Sequence, residues 1–440
     1  MHLKPKKSIM NKVLQFFNRE CHFIMNLSNA ALGKIVVLIT AATIIAVAAA
    51  GCISVTVSNK DKIVMGVQAH GTSIAGLSKN EAHKFFADLA ASKLQRKAAV
   101  LTYKERNFSI DPADINLHGN VDEAVKAAYG IGRDGTFIEN IITQMHCAIF
   151  GATVTMDASF DEPLLNKKLQ QIKEAIDTPP KNGSVTLLAD GSIRKKPSVT
   201  GLTLDIAPIA AELAPDFQAL NLTVRKELTP TEQLPFIQDN DIAAMDGILS
   251  SYTTSFSPGD RGDNIGLAAS HLQGALIRSG ATLSFNNVVG PRTREAGYKN
   301  AGVIIYGEHA IDVGGGVCQV SSTLYNAILL AGLTSVERTG HFASSAYVPA
   351  GRDATVADGL IDFVFRNPLP HPVYLTIANS GNSLTVYVLG TKADLTGKSI
   401  SLITEGSSMR PSLYRIWKQN GQVIEKEFLH TDVYETLKNT

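Results

Sequence analysis

Twenty-three consecutive residues, Ile35 to Val57, carry neither charge nor proline. As a helix rising 1.5 Å per residue, a run of that length spans the roughly 30 Å apolar core of a bilayer. It is also longer than the apolar part of a typical signal peptide, about 7–15 residues. Residues 1–34 hold six Lys or Arg against one acid, Glu20, a local charge of +5. Basic residues on that flank predict a cytoplasmic N-terminus and export of the chain beyond the run. The reading is a basic cytoplasmic segment at 1–34 and a single transmembrane helix at 35–57 that uses membrane lipid as a partner. The bulk of the chain then lies outside the cytoplasm, at the cell membrane. A rival reading takes "AAGC", Ala49 to Cys52, as a loose match to a lipoprotein cleavage box, with Cys52 lipidated.

The formal charge of the whole chain is +1, which leaves −4 for the part beyond residue 34. No basic footprint for nucleic acid survives there. At 440 residues the chain is long enough for several units. Its four cysteines fall one per region, Cys21, Cys52, Cys147 and Cys318, which is no disulfide framework.

Beyond the apolar run, "GLSKNEAHKFFADLAASKL" predicts a helix with Ser78 as N-cap and Glu81 at the capping-box spacing. An internal repeat comes next. "VDEAVKAAY" (121–129) aligns with "LDIAPIAAE" (204–212), each with an aspartate, Asp122 or Asp205, placed to cap a helix. Each copy follows a hairpin, "AVLTYKERNFSI" and "SVTLLADGSIRKKPSV". These spacings predict two related α+β units, at 60–150 and 151–228. The texture changes at "TPTEQLP", and a denser α+β domain is expected over 229–400. In it "LIDFVFRN", "HPVYLTIA" and "NSLTVYVLG" read as three strands of a mostly antiparallel sheet. Residues 401–440 are expected to form a C-terminal hairpin around Asn420-Gly421 and a tail.

The chemistry centres on "GGGVCQVSSTLYNAILLAGL", where Cys318 follows three glycines at the start of a predicted helix. The positive end of a helix dipole favours a thiolate. His341 in "ERTGHFASS" and Asp353 in "PAGRDATV" come later, in the order of a cysteine nucleophile, its base and an orienting acid. Asp362 is a second candidate for the acid. The alternatives stay open. Cys318 could be a buried packing residue, and His341 a hydrogen-bonded scaffold. Gly315 and Gly316 could present bare N–H groups to an anion, with Arg352 as a counter-cation. No CxxC or HxxxH spacing supports a metal, no Lys-Ser/Thr supports a nucleotide loop, and no cofactor is expected. Arg292 and Arg294 read as solvated loop charge.

From about Asn264 to Gly390 the words "NIGLAASHLQGALIRSGATLSFNNVVGPRTREAGYKNA", "GGGVCQVSSTLYNAILLAGL", "VERTGH", "YVPAGRDATV" and "DFVFRNPLPHPVYL" resemble the VanW family. "GLSKNEAHKFFADL" and "AYGIGRDGTFIENI" resemble the peptidoglycan-binding (YoaR-like) units often found ahead of that domain. The resemblance implies a bacterial cell-envelope protein of a glycopeptide-resistance-associated family whose partner is peptidoglycan or its precursors. It implies no settled reaction, and so leaves open whether the chain is an enzyme. It places Cys318, His341 and Asp353 inside family words. One word departs from the pattern: Phe342 follows the histidine where a small polar residue is common. The Cys helix also resembles, distantly, the Cys-His-Asp core of transglutaminase-like enzymes, although its 23-residue gap from Cys318 to His341 is short for that core. Two functions stand as expectations. One is a peptidoglycan-engaging protein with a Cys318–His341–Asp353 acyl-transfer or hydrolase site; the other is a non-catalytic binding or scaffolding protein with a structural Cys318.

Overall fold

The computed structural model describes residues 31–305 and 308–436, beginning with helix α1 (Ala31–Ser58) over the uncharged run. Among the described residues no helix is long and apolar enough to cross a membrane. The transmembrane helix expected at 35–57 is therefore corrected, and with it the membrane-lipid partner and the single-pass localisation. The expectation rested on the absence of charge. Between its Ile, Leu and Val residues the run also carries alanine, threonine, serine, glycine and Cys52. Thr40 and Thr43 turn their hydroxyls onto the carbonyls of Val36 and Ile39. Residues 1–30, with Cys21 and most of the basic segment, lie outside the described residues.

The chain divides into two units, the first taking in residues up to Asp177 and Thr203–Thr231. Helix α2 (Lys79–Leu94) opens with the expected capping box: Ser78 Oγ accepts the Glu81 N–H, and Glu81 returns a carboxylate oxygen to the Ser78 N–H. The hairpin β1 (Ala99–Tyr103) and β2 (Arg106–Ile110) comes next, and then helices α3 (Val121–Gly130), α4 (Phe137–Phe150), α5 (Glu162–Ile176) and α6 (Ala207–Gln218). Strand β3 (Val224–Glu227) returns to pair in parallel with β1. One apolar core runs through the unit, with Phe86, Leu101, Ile110, Leu169 and Phe217 fully buried.

Both aspartate caps expected for the repeat are corrected. Helix α3 starts two residues earlier than expected, with Asn120 at the cap, so Asp122 sits in the first turn and faces the helix dipole. In α6 the cap position is Ile206, and Asp205 instead accepts the Ala207 N–H at 3.1 Å. The second hairpin forms around Asp190-Gly191, and it belongs to the second unit, within Thr178–Leu202.

The second unit continues from Glu232 with strand β4 (Gly247–Ser255) and helix α7 (Asp260–Leu272). Short strands β5 (Leu276–Ile277) and β6 (Thr282–Ser284) precede the hairpin β7 (Asn300–Ile305) and β8 (Glu308–Val313), which delivers the chain to helix α8 (Val317–Leu330). After α8 come β9 (Thr334–Glu337), β10 (Val364–Arg366), β11 (Val373–Asn379) and β12 (Ser383–Gly390). The last sheet is β13 (Lys398–Ser407), β14 (Arg410–Gln419) and β15 (Gln422–Thr431). The sheet order is β4-β12-β11-β5 in one layer and β6-β10-β9 in another, all pairs antiparallel. The turn between β14 and β15 has Asn420 and Gly421 both at positive φ, +50° and +80°. That is the backbone an Asn-Gly hairpin turn requires.

One expected pairing differs. Strand β10 does not join β11 and β12, because "NPLP" breaks the chain between them. Asn367 is buried at that break and donates to the carbonyls of Ile277 and His371, fixing the corner.

Helix α8 is the centre of this unit. Its residues from Gln319 to Leu329 are buried on every face, unlike a surface helix with one apolar stripe. The polar residues this submerges, Gln319, Ser321, Ser322, Thr323 and Asn326, all find hydrogen-bond partners.

Candidate active site around Cys318

The glycines ahead of Cys318 are required by their surroundings. Gly314 and Gly316 stand at φ of +82° and +110°, where other side chains are strained. A Cβ on Gly315 would lie 2.7 Å from the Ala301 carbonyl oxygen. The buried turn is thus packed against the backbone of β7 and the first turn of α7, and it releases α8 with Cys318 as its second residue. At that position the helix dipole favours a negative sulfur.

A stripe along α8 then grips the segment after the loop. Residues 318, 322 and 326 are four apart and share a face. Cys318 Sγ meets the Val356 carbonyl at 3.4 Å, and Ser322 Oγ accepts the Ala354 N–H at 2.9 Å. Ser321 Oγ donates to the Ala354 carbonyl at 2.6 Å, and Asn326 Nδ2 to the Arg352 carbonyl at 2.7 Å. Asp353 is carried between these anchors and is 1% exposed.

The structure brings His341 to both partners. Its Nδ1 lies 2.6 Å from Asp353 Oδ2, and its backbone N–H donates to the same oxygen at 2.7 Å. That leaves Nε2 for the other side, where the Tyr347 hydroxyl stands at 3.4 Å, and the imidazole is near enough to the Cys318 thiol for each to shift the other's pKa. Burial alone would keep Cys318 a neutral thiol. The hydrogen bond and charge of His341, with Arg292 behind it, outweigh burial and pull the thiol pKa below its ordinary value. Burial likewise opposes the imidazolium, but the bonds to Asp353 and Cys318 lift the His341 pKa to about 9. Both shifts favour a thiolate–imidazolium pair over two neutral groups.

Asp353 is itself held from behind. Arg338, 7% exposed, donates to the Asp353 carbonyl at 2.6 Å and to its carboxylate at 3.3 Å. The same guanidinium binds Asp432 at 2.5 and 2.8 Å. Tyr434 donates its hydroxyl to Asp353 Oδ1 and accepts the Gly351 N–H. Burial would raise the Asp353 carboxyl, but His341, Arg338 and Tyr434 together hold it ionised.

Other candidates fall elsewhere. Asp362 caps the short helix Phe285–Val289 through Ser284 and the Asn286 N–H. Arg352 lies two turns along α8, bonded to Asn326 and stacked over Tyr252. Arg292 is not a solvated charge: its side chain is 8% exposed, pairs with Asp358 and packs on Gly314. Arg294 bonds to Asn300 on the surface. Cys147 is buried in the first unit, where burial raises its pKa. Among the described residues no group of three His, Cys, Asp or Glu side chains is placed to hold a metal. Sequence reasoning missed Arg338, Tyr347, Asp432 and Tyr434. The adjacency of Arg338 to His341 in "VERTGH" was the one available signal; nothing local ties residues 432 and 434 to position 353.

Comparisons with known proteins agree with this architecture. Residues 260–389 match the family model described as "VanW like protein", and residues 108–215 match one described as "Putative peptidoglycan binding domain". The Bacillus subtilis (strain 168) "Uncharacterized protein YoaR" is 45% identical over 140 residues, which is 31% of this chain and 46% of that protein. The "Vancomycin B-type resistance protein VanW" of Enterococcus faecalis (strain ATCC 700802 / V583) is 36% identical over 109 residues, 24% of this chain and 40% of that protein. The matched parts thus span under half the length of these relatives. No solved structure matches the chain. With a VanW-like domain built around Cys318 and a domain of the peptidoglycan-binding type ahead of it, the chain is a VanW/YoaR-like protein.

Proposed function

We propose that this is a cell-envelope protein that engages peptidoglycan or its peptide stems and carries out acyl transfer at Cys318. The observation that supports catalysis is the buried His341–Asp353 contact beside a thiol of lowered pKa. In that reaction the Cys318 thiolate attacks an amide carbonyl carbon, forming a C–S bond. The His341 imidazolium gives its Nε2 proton to the departing amine as the C–N bond breaks. Water or a second amine then attacks the thioester, returns a proton to His341 and releases the thiolate. Asp353 keeps the Nδ1 proton in place and stabilises the imidazolium throughout. The match over residues 108–215 supports the choice of peptidoglycan as the ligand that brings substrate to the domain.

The test incubates the full chain with muropeptides released from purified cell walls and follows Cys318 by mass spectrometry. A muropeptide acyl adduct on Cys318, with release of an amine, is the expected result, and Cys318→Ala abolishes both. Wall binding with neither adduct nor amine release would overturn catalysis and leave a binding protein.

A further inference from the structure

The charges around Cys318 are almost all paired. Arg292 is matched by Asp358, and Arg338 by Asp353 and Asp432. Among the described residues Arg352 has no carboxylate but is spent on Asn326 and the Tyr252 ring, and Arg261 has neither a carboxylate nor a ring. It stands in the first turn of α7, flanked by Asp260 and Asp263, yet both of those carboxylates bind Lys299, at 3.2 and 2.7 Å. Among the described residues no carboxylate forms an ion pair with Arg261. Its guanidinium makes two long contacts to neutral oxygens, 3.2 Å to the Gly302 carbonyl and 3.4 Å to Gln319 Oε1.

Its position is set by the glycine turn. Arg261 Cγ would lie 3.1 Å from a Cβ on Gly316, so its stem runs across the cap of the Cys318 helix. The head group reaches Gln319, the residue next to the nucleophile. Its charge is also felt at Tyr347, where it counters the burial that raises that phenol, and Tyr347 touches His341. Arg261 is therefore a half-buried, fork-shaped cation with unspent donors at the nucleophile's side of the domain.

We infer that Arg261 is a carboxylate-binding subsite, and that the substrate attacked by Cys318 is a peptide whose free terminal carboxylate lies close to the bond that breaks. The inference rests on the acyl-transfer function proposed for Cys318 and adds the substrate class to it. A bidentate Arg–carboxylate pair would fix the end of the peptide and place the preceding carbonyl at the sulfur.

The test compares two alkylating reagents of nearly equal size, iodoacetate and iodoacetamide, on the full chain at pH 6.5. Labelling is read on the peptide that contains Cys318. Both reagents form the same S–CH2 bond with loss of iodide, but only iodoacetate carries a carboxylate. The wild-type chain is expected to favour iodoacetate, and Arg261→Gln to lower the iodoacetate-to-iodoacetamide rate ratio about fivefold or more, as loss of a nearby full charge would. Arg261→Lys is expected to keep most of the preference, and it decides the case if Arg261→Gln does not fold. A ratio unchanged in Arg261→Gln, with rapid iodoacetamide labelling retained, overturns the subsite and leaves the nucleophile standing. A Cys318 that reacts with neither reagent overturns both readings.

Discussion

Oδ2 of Asp353 accepts two hydrogen bonds from one residue, the backbone N–H of His341 at 2.7 Å and its Nδ1 at 2.6 Å. The paired bonds hold the loop and the ring on one oxygen. Removing the carboxylate therefore acts on orientation and on charge at once.

Asp353→Asn is expected to slow iodoacetamide labelling of Cys318 at pH 6.5 by about tenfold or more, the size of a one-unit pKa change. The midpoint of the labelling rate against pH should move up toward the free-thiol value of about 8.5. An unchanged midpoint would show that His341 does not depend on Asp353 for its charge.

Acyl transfer is expected to follow a bell-shaped pH profile. The rising limb is the ionisation of Cys318, below the usual thiol range. The falling limb comes at about 9, where His341 loses the proton it must donate to the leaving amine. Thiol labelling needs only the thiolate, so it should show no matching loss above pH 9. A falling limb shared by both measurements would point to unfolding instead.

Arg338 neutralises two carboxylates, Asp353 and Asp432, in a place from which water is nearly excluded. Arg338→Met should cost about 3–5 kcal/mol, because it strands buried charge. Urea unfolding at pH 7 measures it; a loss under about 1 kcal/mol, typical of exposed pairs, would contradict the burial of this cluster.

The same pairing makes stability depend on acid. Burial would raise the Asp432 carboxyl, but His430 and Arg338 hold it far below the ordinary carboxylate value. A depressed carboxyl contributes stability above its unfolded pKa, about 3.9, and loses it as pH falls toward the folded value. The wild-type urea midpoint should fall between pH 5 and pH 3, and Asp432→Asn should flatten that slope while lowering stability at pH 7.

Gly315→Ala is expected to destabilise the second unit by about 1–3 kcal/mol, since its Cβ would press on the Ala301 backbone. Thermal denaturation and Cys318 labelling should change together. A stable Gly315→Ala chain with altered ligand affinity alone would instead support the glycine turn as an anion cradle.

Periodicity and turn chemistry carried much of the fold. The capping box at Ser78, the Asp190-Gly191 and Asn420-Gly421 turns and helix α8 are local, and the residues that form them are neighbours. The order Cys318, His341, Asp353 is likewise plain in the sequence, whereas the distances between the three side chains are not. Arg292 looked like surface charge because its surroundings come from Phe285, Gly314 and Asp358, which only the fold collects. Asp432 and Tyr434 lie over 78 residues from Asp353 and come from the end of a hairpin sheet. The repeat misplaced one cap by two residues and the other by one, the usual scale of error at helix ends.

The grip of α8 on residues 352–356 works as a ruler. Cys318 and Asp353 are spaced by the pitch of a single submerged helix, one of its rungs at Cys318 and the next at Ser322. The last sheet supports the same segment from outside, through Thr404 on the Ala350 carbonyl and His430 on that of Gly351. The stretch from Phe342 to Ala350 hangs between His341 and the ruler, held by Tyr347 against His341 and by the buried Ala343 and Val348. The exposed residues of that stretch, Phe342 among them, can therefore change while the separation of sulfur and carboxylate is kept.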